Sequence, residues 1–281
     1  MFSTTTSIKN RSNIAVAEES DNNCVTVSVV IPALNEAENL PHILPLIPTW
    51  VHEVILVDGN STDDTVAVAK RVLPSIRIVK QSANERGKGS ALRAGVAACR
   101  SDIVVLLDAD GSTDPAEIPV YVSTLLAGAD YAKGSRFLQG AGTVDMPFYR
   151  QIGNGSLVLL TNVLFKTRYS DITYGYNAFW RSDAHLLALE INGWACEIVN
   201  NIRAARNGLR IVEVASFEHE RIAGEAKLQT WSAGWTILKA ILRERFQTTN
   251  SMQSAKQIDG KPRRPSFLEA YFSNSSGADL A

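Results

Sequence analysis

Cysteine, net charge and long apolar runs are what this 281-residue chain has little of. Its three cysteines, Cys24, Cys99 and Cys196, show no paired or metal-ligand spacing. That excludes a disulfide framework and fits reduced thiols in a cytosolic protein. A formal net charge of −1 removes any global electrostatic case for nucleic acid. The longest apolar run, Leu157 to Phe165, is broken by Thr161 and Asn162, far short of the about 20 residues of a membrane span. The N-terminus has no apolar signal core either. A cytoplasmic protein, soluble or peripheral on the inner face of a membrane, is expected. His42, His52 and His185 are too scattered to form a site.

What is present is a hydrophobic content of 45%, enough for a sizeable core. Residues 1–24 are polar and Ser/Thr/Asn-rich and are expected to be a disordered tail, as are residues 247–281. No repeat or Pro-rich linker divides residues 25–245, so one domain over 25–246 is expected. Val25 to Ile31 reads as a strand ended by Pro32. Asn35 to Leu40 then opens a helix, with Asn35 as N-cap and Glu36 and Glu38 in its first turn. Glu53 to Val57 is a second strand ending at Asp58, and Ser61 or Thr62 can cap the helix that runs on through Arg71. Asp63 and Asp64 read as capping acids. Ser75 to Lys80 is a third strand, and Arg86 to Ser90 leads into a helix over Ala91 to Cys99.

The β-branched run Ile103 to Leu107 reads as a buried parallel strand that delivers Asp108-Ala109-Asp110 into the turn formers Gly111 to Pro115. A helix from Glu117 to Leu126 and a strand near Ala129 to Lys133 follow, then Gly134 to Phe137 as a loop. Leu138 to Pro147, glycine-rich, reads as a mobile loop. Residues 148–168 are helical and carry Arg150, and Ala178 to Arg181 is a short strand. Trp194 to Asn207 is a helix capped by Gly208, and Leu209 to Val214 an edge strand. In Gln229 to Phe246, Trp231, Trp235, Leu238, Ile241 and Leu242 recur at helical spacing with Lys239, Arg243 and Arg245 among or beside them. This helix either packs on the domain or rests on a membrane headgroup layer.

Strands alternating with helices describe an α/β fold with a mainly parallel, doubly wound sheet and helices on both faces. In such sheets ligands bind at the carboxyl ends of the strands. Glu36, Asp58, Lys88 and Asp108/Asp110 all fall at those ends and can surround one ligand. An isolated Asp-x-Asp is commonly a solvated turn. Here its neighbours favour a nucleoside diphosphate, with Mg²⁺ or Mn²⁺ shared between carboxylates and phosphate oxygens.

At this point the sequence resembles the family-2 glycosyltransferases of the GT-A fold, most closely the dolichyl-phosphate mannose synthase-like branch. The likeness spans about Val27 to Lys227. Its motifs are Ile31-Pro32-Ala33-Leu34-Asn35-Glu36, Val57-Asp58-Gly59-Asn60-Ser61-Thr62-Asp63, Gly87-Lys88-Gly89-Ser90-Ala91-Leu92, Asp108-Ala109-Asp110 and Gly134-Ser135-Arg136. The resemblance implies nucleotide-sugar binding by Pro32, Asn35, Glu36, Asp58, Lys88, Asp108, Arg136 and Lys227. It implies metal ligation by Asp108 and Asp110, and Arg136 and Arg150 toward donor or acceptor phosphates. Arg221-Ile222-Ala223-Gly224-Glu225-Ala226-Lys227 is similar to the family's closing Arg-x-x-Gly-x-x-Lys loop, so Arg221 and Lys227 would cover the diphosphate. His219 is a further metal candidate.

Three positions depart from the pattern: Leu34 for a frequent Tyr, Asp58-Gly59-Asn60 for Asp-Asp-Gly, and Ser112 for a metal-binding Gln. An inverting transfer to a hydroxyl calls for a general base, for which Glu197 and Asp171 are the candidates. A polyprenyl phosphate acceptor is already ionised and needs cations instead. The alternatives are a soluble transferase acting on a hydroxyl and a non-catalytic sugar-nucleotide sensor. A phosphatase with Asp108 as nucleophile leaves Glu36, Asp58 and Lys88 unexplained. A sugar nucleotidyltransferase lacks its Gly-rich loop after the first strand.

Overall fold

The computed structural model describes residues 25–246 apart from 83, 86, 188, 190, 192, 194 and 225–229, with the backbone alone at 230–233. Both expected tails, Arg86, Trp194, the Trp231 side chain and Lys227 therefore lie outside the described residues. In chain order the elements are β1 (Val27–Ala33), α1 (Leu40–Ile43), β2 (Glu53–Asp58), α2 (Thr65–Val72), β3 (Arg77–Lys80), α3 (Lys88–Ala98) and β4 (Ile103–Leu106). They continue with α4 (Ile118–Leu126), β5 (Tyr131–Ser135), β6 (Gly142–Thr143), α5 (Phe148–Phe165), β7 (Asn177–Trp180), α6 (Ala195–Arg206), β8 (Ile211–Ala215), β9 (Phe217–Glu218) and α7 (Thr230–Phe246). The large sheet has the order β3-β2-β1-β4-β7-β5-β8. All its neighbours pair in parallel except β7, which runs antiparallel to β4 and β5.

Period-two alternation sends side chains to opposite faces of the sheet. Val29, Ile31, Leu56 and Val105 pack with Leu40, Val68, Ile118, Tyr121 and Leu125 beneath α1, α2 and α4. Val30, Ile55, Val57 and Val104 pack with Leu92, Val96 and Cys196 beneath α3 and α6. A third cluster, with Tyr169, Ile172, Ile198, Ile202, Ile237 and Ile241, lies where α6 meets α7, with Leu157 and Leu160 of α5 against it. The register Ala33↔Asp58 puts the ends of β1 and β2 level, so both release their chains at one edge.

Several boundaries differ from the sequence reading. β1 continues through Pro32, because Val30 O still accepts from Leu107 N at 3.0 Å but β4 has ended beyond it. Pro32 sits two residues on, with its missing N–H on that vacated side, where a strand tolerates proline. Asn35 is not a helix cap. It holds φ 55° in a loop, where its Oδ1 accepts from Thr62 N at 2.8 Å, and the helix begins only at Leu40. Glu36 is accordingly not in a first helical turn. Neither Ser61 nor Thr62 caps α2, since Asp63 Oδ1 accepts from Thr65 N at 3.0 Å. α3 starts at Lys88 rather than Ala91. The expected mobile loop 138–147 contains β6, which pairs in parallel with β9.

Candidate active site

The open edge of the sheet is the floor of a cavity of about 1520 Å³, above the range of about 300–1,000 Å³ of ordinary ligand pockets. Pro32 near the end of β1, Glu36 just after it, Lys88 at the start of α3, and Asp108 and Asp110 after β4 all line it. Asp58 is buried beside it, with Oδ1 accepting from Ser61 N at 3.0 Å, while its neighbours Gly59 and Asn60 face the space. Asn35 points to Ser61 and Thr62 instead, so it shapes the loop around Asp58. Glu36 is also buried, its Oε2 accepting from Asn39 Nδ2 at 2.6 Å.

Lys88 joins strands to helices across the floor. Its Nζ lies 2.5 Å from Asp108 Oδ1 and 2.5 Å from Glu197 Oε1. Burial works against the ammonium, but Asp108 and then Glu197 overcome it and hold Lys88 above the ordinary lysine range. Burial likewise pushes the Glu197 carboxyl up; Lys88 pulls it down, Asp108 raises it again, and the balance lies above the usual value. Gly175, just before β7, makes room for this pair: a Cβ there would lie 2.5 Å from Glu197 Oε1 and 2.8 Å from Lys88 Nζ. Of the two candidate bases, Glu197 is the one on the cavity wall.

Asp171 is elsewhere. It is fully buried, and Arg136 grips it through Nε to Oδ2 at 2.7 Å and Nη2 to Oδ1 at 3.0 Å. Burial raises its carboxyl, but Lys133 and Arg136 outweigh that and hold it below the ordinary range. A carboxylate paired this firmly and sealed from the cavity is a poor proton acceptor, which corrects the expectation for Asp171. The expectation for Arg136 changes with it. Its remaining donors go to Glu218 at 3.0 Å and Thr173 Oγ1 at 2.8 Å, and its guanidinium lies 4.8 Å from the centre of the Tyr174 ring. Arg136 touches the cavity, but its charge is committed to protein carboxylates.

Arg150 on α5 and Arg221 also line the cavity. Arg221 Nη2 stands 2.5 Å from Asp110 Oδ2 and Nη1 stands 3.9 Å from Glu36 Oε1. His219 is exposed, its ring tilted against Phe217 at 5.0 Å, and is not part of the cavity lining. Among the described residues no three His, Cys, Asp or Glu side chains cluster as a complete metal cage. Asp108 and Asp110 nevertheless fit a Mg²⁺- or Mn²⁺-type ion. They are hard oxygen donors on one turn, each already facing a cationic side chain, and such ions take one or two carboxylates plus substrate phosphates. Ser112, at the departure from the family pattern, gives no direct support here; its Oγ donates to Asp110 Oδ1 at 2.7 Å.

The sequence reading gave no role to Glu218, which holds Arg136 from β9 and borders the cavity. It also missed Lys133, fully buried on β5, where burial pushes its ammonium down while Asp171 and Glu213 oppose the shift. Lysine in the middle of a strand otherwise rich in small residues was the available signal, since a fully buried lysine needs partners.

Residues 28–186 match the Glycosyl transferase family 2 domain, more than half of the chain. The chain belongs to glycosyl transferase family 2. Within that family it is 32% identical over 212 residues to a polyprenol monophosphomannose synthase of Mycolicibacterium smegmatis, covering 71% of this chain and 80% of the relative. It is 32% identical over 224 residues to an undecaprenyl-phosphate mannosyltransferase of Micrococcus luteus, covering 75% and 91%. These relatives belong to the mannose synthase-like branch that the motifs resemble. Among solved structures it is similar to glucosyl-3-phosphoglycerate synthase from Mycobacterium tuberculosis in complex with Mn²⁺, UDP and glucosyl-3-phosphoglycerate. The TM-score is 0.61 at 27% identity, covering 85% of this chain and 86% of the other. The sheet of this family member is therefore a GT-A sheet, and the protein is a glycosyltransferase.

Proposed function

We propose that this family-2 enzyme is a metal-dependent, inverting hexosyltransferase that uses a nucleotide sugar and a polyprenyl phosphate acceptor. The observation carrying this reading is the mixed composition of the cavity's lining. Part of it is the acidic and lysine-bearing strand rim. Part of it is Leu157 and Leu160 of α5 with Trp235 and Leu238 of α7. A polar head and an apolar tail can thus be held in one continuous space. Phe148, Leu159 and Val163 of α5, outside the cavity, and Ile152 on its lining are all well exposed. At about 100° per residue they share a stripe only about 60° wide. Trp235, Leu242 and Phe246 of α7 are exposed as well, and such faces suit a headgroup layer. No described helix is long and apolar enough to cross a membrane.

In this reading Glu36 and the Asp58 loop receive the nucleoside. Asp108 and Asp110 would hold the metal, which supplies charge neutralisation to the departing diphosphate. Lys88 keeps Asp108 aligned, and Arg150 offers a cation on the acceptor side of the cavity. The names of the mannose synthase relatives support the polyprenyl phosphate, and the UDP and Mn²⁺ of the glucosyl-3-phosphoglycerate synthase complex support a nucleotide and a divalent ion.

A second reading rests on Glu197, whose raised carboxyl on the cavity wall suits a general base toward a hydroxyl acceptor. Turnover of UDP-, GDP- and dTDP-sugars with Mg²⁺ or Mn²⁺, against polyprenyl phosphate and against small hydroxyl acceptors, separates the two. Asp110→Ala is expected to abolish metal-stimulated turnover while the protein stays folded. Full wild-type activity in excess EDTA would overturn the metal role.

A further inference from the structure

The segment carrying Arg221 is seated on the Asp108-Ala109-Asp110 turn by backbone and side chain together. His219 N donates to Ser112 O at 2.9 Å, Ile222 N donates to Asp110 O at 3.1 Å, and Asn39 Nδ2 donates to Ala223 O at 3.2 Å. The Ile222 side chain lies against Gly111, where an added Cβ would come within 2.4 Å of its Cδ1. This seating delivers the Arg221 guanidinium to Asp110 Oδ2 at 2.5 Å, with Glu36 Oε1 at 3.9 Å. The other Asp110 oxygen accepts from Ser112 N at 3.0 Å and from Ser112 Oγ at 2.7 Å. Both oxygens of the carboxylate expected to ligate the metal are therefore occupied by the protein itself.

We propose that Arg221 is an internal rival of the divalent cation for Asp110, so that metal entry and release of Arg221 toward the donor's diphosphate are one coupled event. This rests on the metal and nucleotide reading above. The physical reason is competition for one anion. A cation arriving alone must break a half-buried, charge-assisted pair and leave the guanidinium with Glu36 as its other carboxylate neighbour. When a diphosphate arrives as well, the displaced guanidinium gains a new anionic partner. Metal and nucleotide then assist one another through Arg221, beyond any contact they make directly, and such coupling is reciprocal. The covalent link from Arg221 to Ile222, whose amide is bonded to Asp110 O, makes the stretch from His219 to Ala223 respond to whichever cation holds that carboxylate.

The test is binding of Mn²⁺ alone, followed by electron paramagnetic resonance of the free ion, to the full chain and to Arg221→Gln and Arg221→Lys. Arg221→Gln is expected to bind Mn²⁺ about tenfold more tightly than wild type without nucleotide, within the usual span of coupling effects. Arg221→Lys, which keeps the rival charge, is expected to stay near wild type. On the wild-type chain, Mn²⁺ alone should speed tryptic cleavage after Arg221, and UDP or GDP added with Mn²⁺ should slow it again. This second measurement stands even where a variant fails to fold. Equal Mn²⁺ affinity in wild type and Arg221→Gln, or cleavage indifferent to a Mn²⁺ ion that does bind, overturns the rivalry and leaves the metal reading intact. Mn²⁺ bound by neither protein, with or without UDP or GDP, overturns the metal reading and the rivalry with it.

Discussion

Asp171 and Glu197 show how little a carboxylate's sequence neighbourhood says about its chemistry. Both were candidates for the general base, yet one is sealed against Arg136 and the other faces the cavity. Asp171→Asn should therefore act through stability. Removing one partner of a buried pair costs about 3–5 kcal/mol, so thermal melts should fall steeply while the fraction still folded keeps most of its turnover. An unchanged melting temperature with lost turnover would restore Asp171 as a base.

Glu53 offers a cleaner pH signature away from the site. Burial raises its carboxyl, but the Ser28 hydroxyl at 2.6 Å, the Arg100 amide at 2.6 Å and the Arg77 guanidinium together hold it below the ordinary value. A lowered folded-state value means stability is present above the unfolded value, about 4.3 for glutamate, and lost as pH falls through the folded one. The melting-temperature gap between wild type and Glu53→Gln should be widest near pH 7 and close as the solution is taken from about pH 5 toward pH 3. A gap independent of pH would remove Glu53 from the acid response.

Among the elements, α3 and α6 carry the site jointly. Gly89 sits in the first turn of α3, where a Cβ would lie 1.9 Å from Ile191 O and 3.0 Å from Cys196 Cβ. Those neighbours are backbone and the first turn of α6, so neither yields cheaply. The close approach is what lets Lys88 on α3 reach Glu197 on α6. Gly89→Ala should gain about 1 kcal/mol of helix propensity and lose more than that to overpacking, typically about 1–3 kcal/mol and more when backbone must move. The expected result is a lower melting temperature and a kcat reduced more than the donor KM rises. A variant as stable and active as wild type would show that the two helices can part freely. α7 belongs to this scale too. Ile237 and Ile241 are buried against α6, and Glu244 accepts from Arg203 at 2.9 Å and Arg206 at 3.2 Å. The apolar spacing of this helix thus serves two surfaces. Ile237 and Ile241 pack inward, whereas Trp235, on the cavity lining, and Leu242, both expected on the same face as Ile241, stay exposed.

At the scale of the whole molecule, the cavity links the strand rim to the α5–α7 wall, and the exposed stripe of α5 extends the apolar character outward. Anionic liposomes should float with the wild-type chain. The double variant Leu159→Glu, Val163→Glu should remain in the soluble fraction, with its turnover of a water-soluble acceptor unchanged. Flotation of both proteins alike would mean that α5 is not the contacting surface, and flotation of neither would count against the lipid route.

Much of this was legible in the residues. The alternation of β-branched runs with helical segments indicated a parallel sheet, because buried parallel strands must be apolar on both faces. The order of Glu36, Asp58, Lys88 and Asp108 along the chain then placed them at one edge, because parallel strands all end on the same side. What the sequence could not convey was which of these charges are spent on each other. That Arg136 is committed to Asp171 and Glu218, that Lys88 joins Asp108 to Glu197, and that Arg221 sits on Asp110 depends on distances between residues 20 to more than 100 positions apart. Periodicity reports a residue's own strand or helix and the face it shows. Ion pairing depends on which other element is packed against that face, and packing alone decided it.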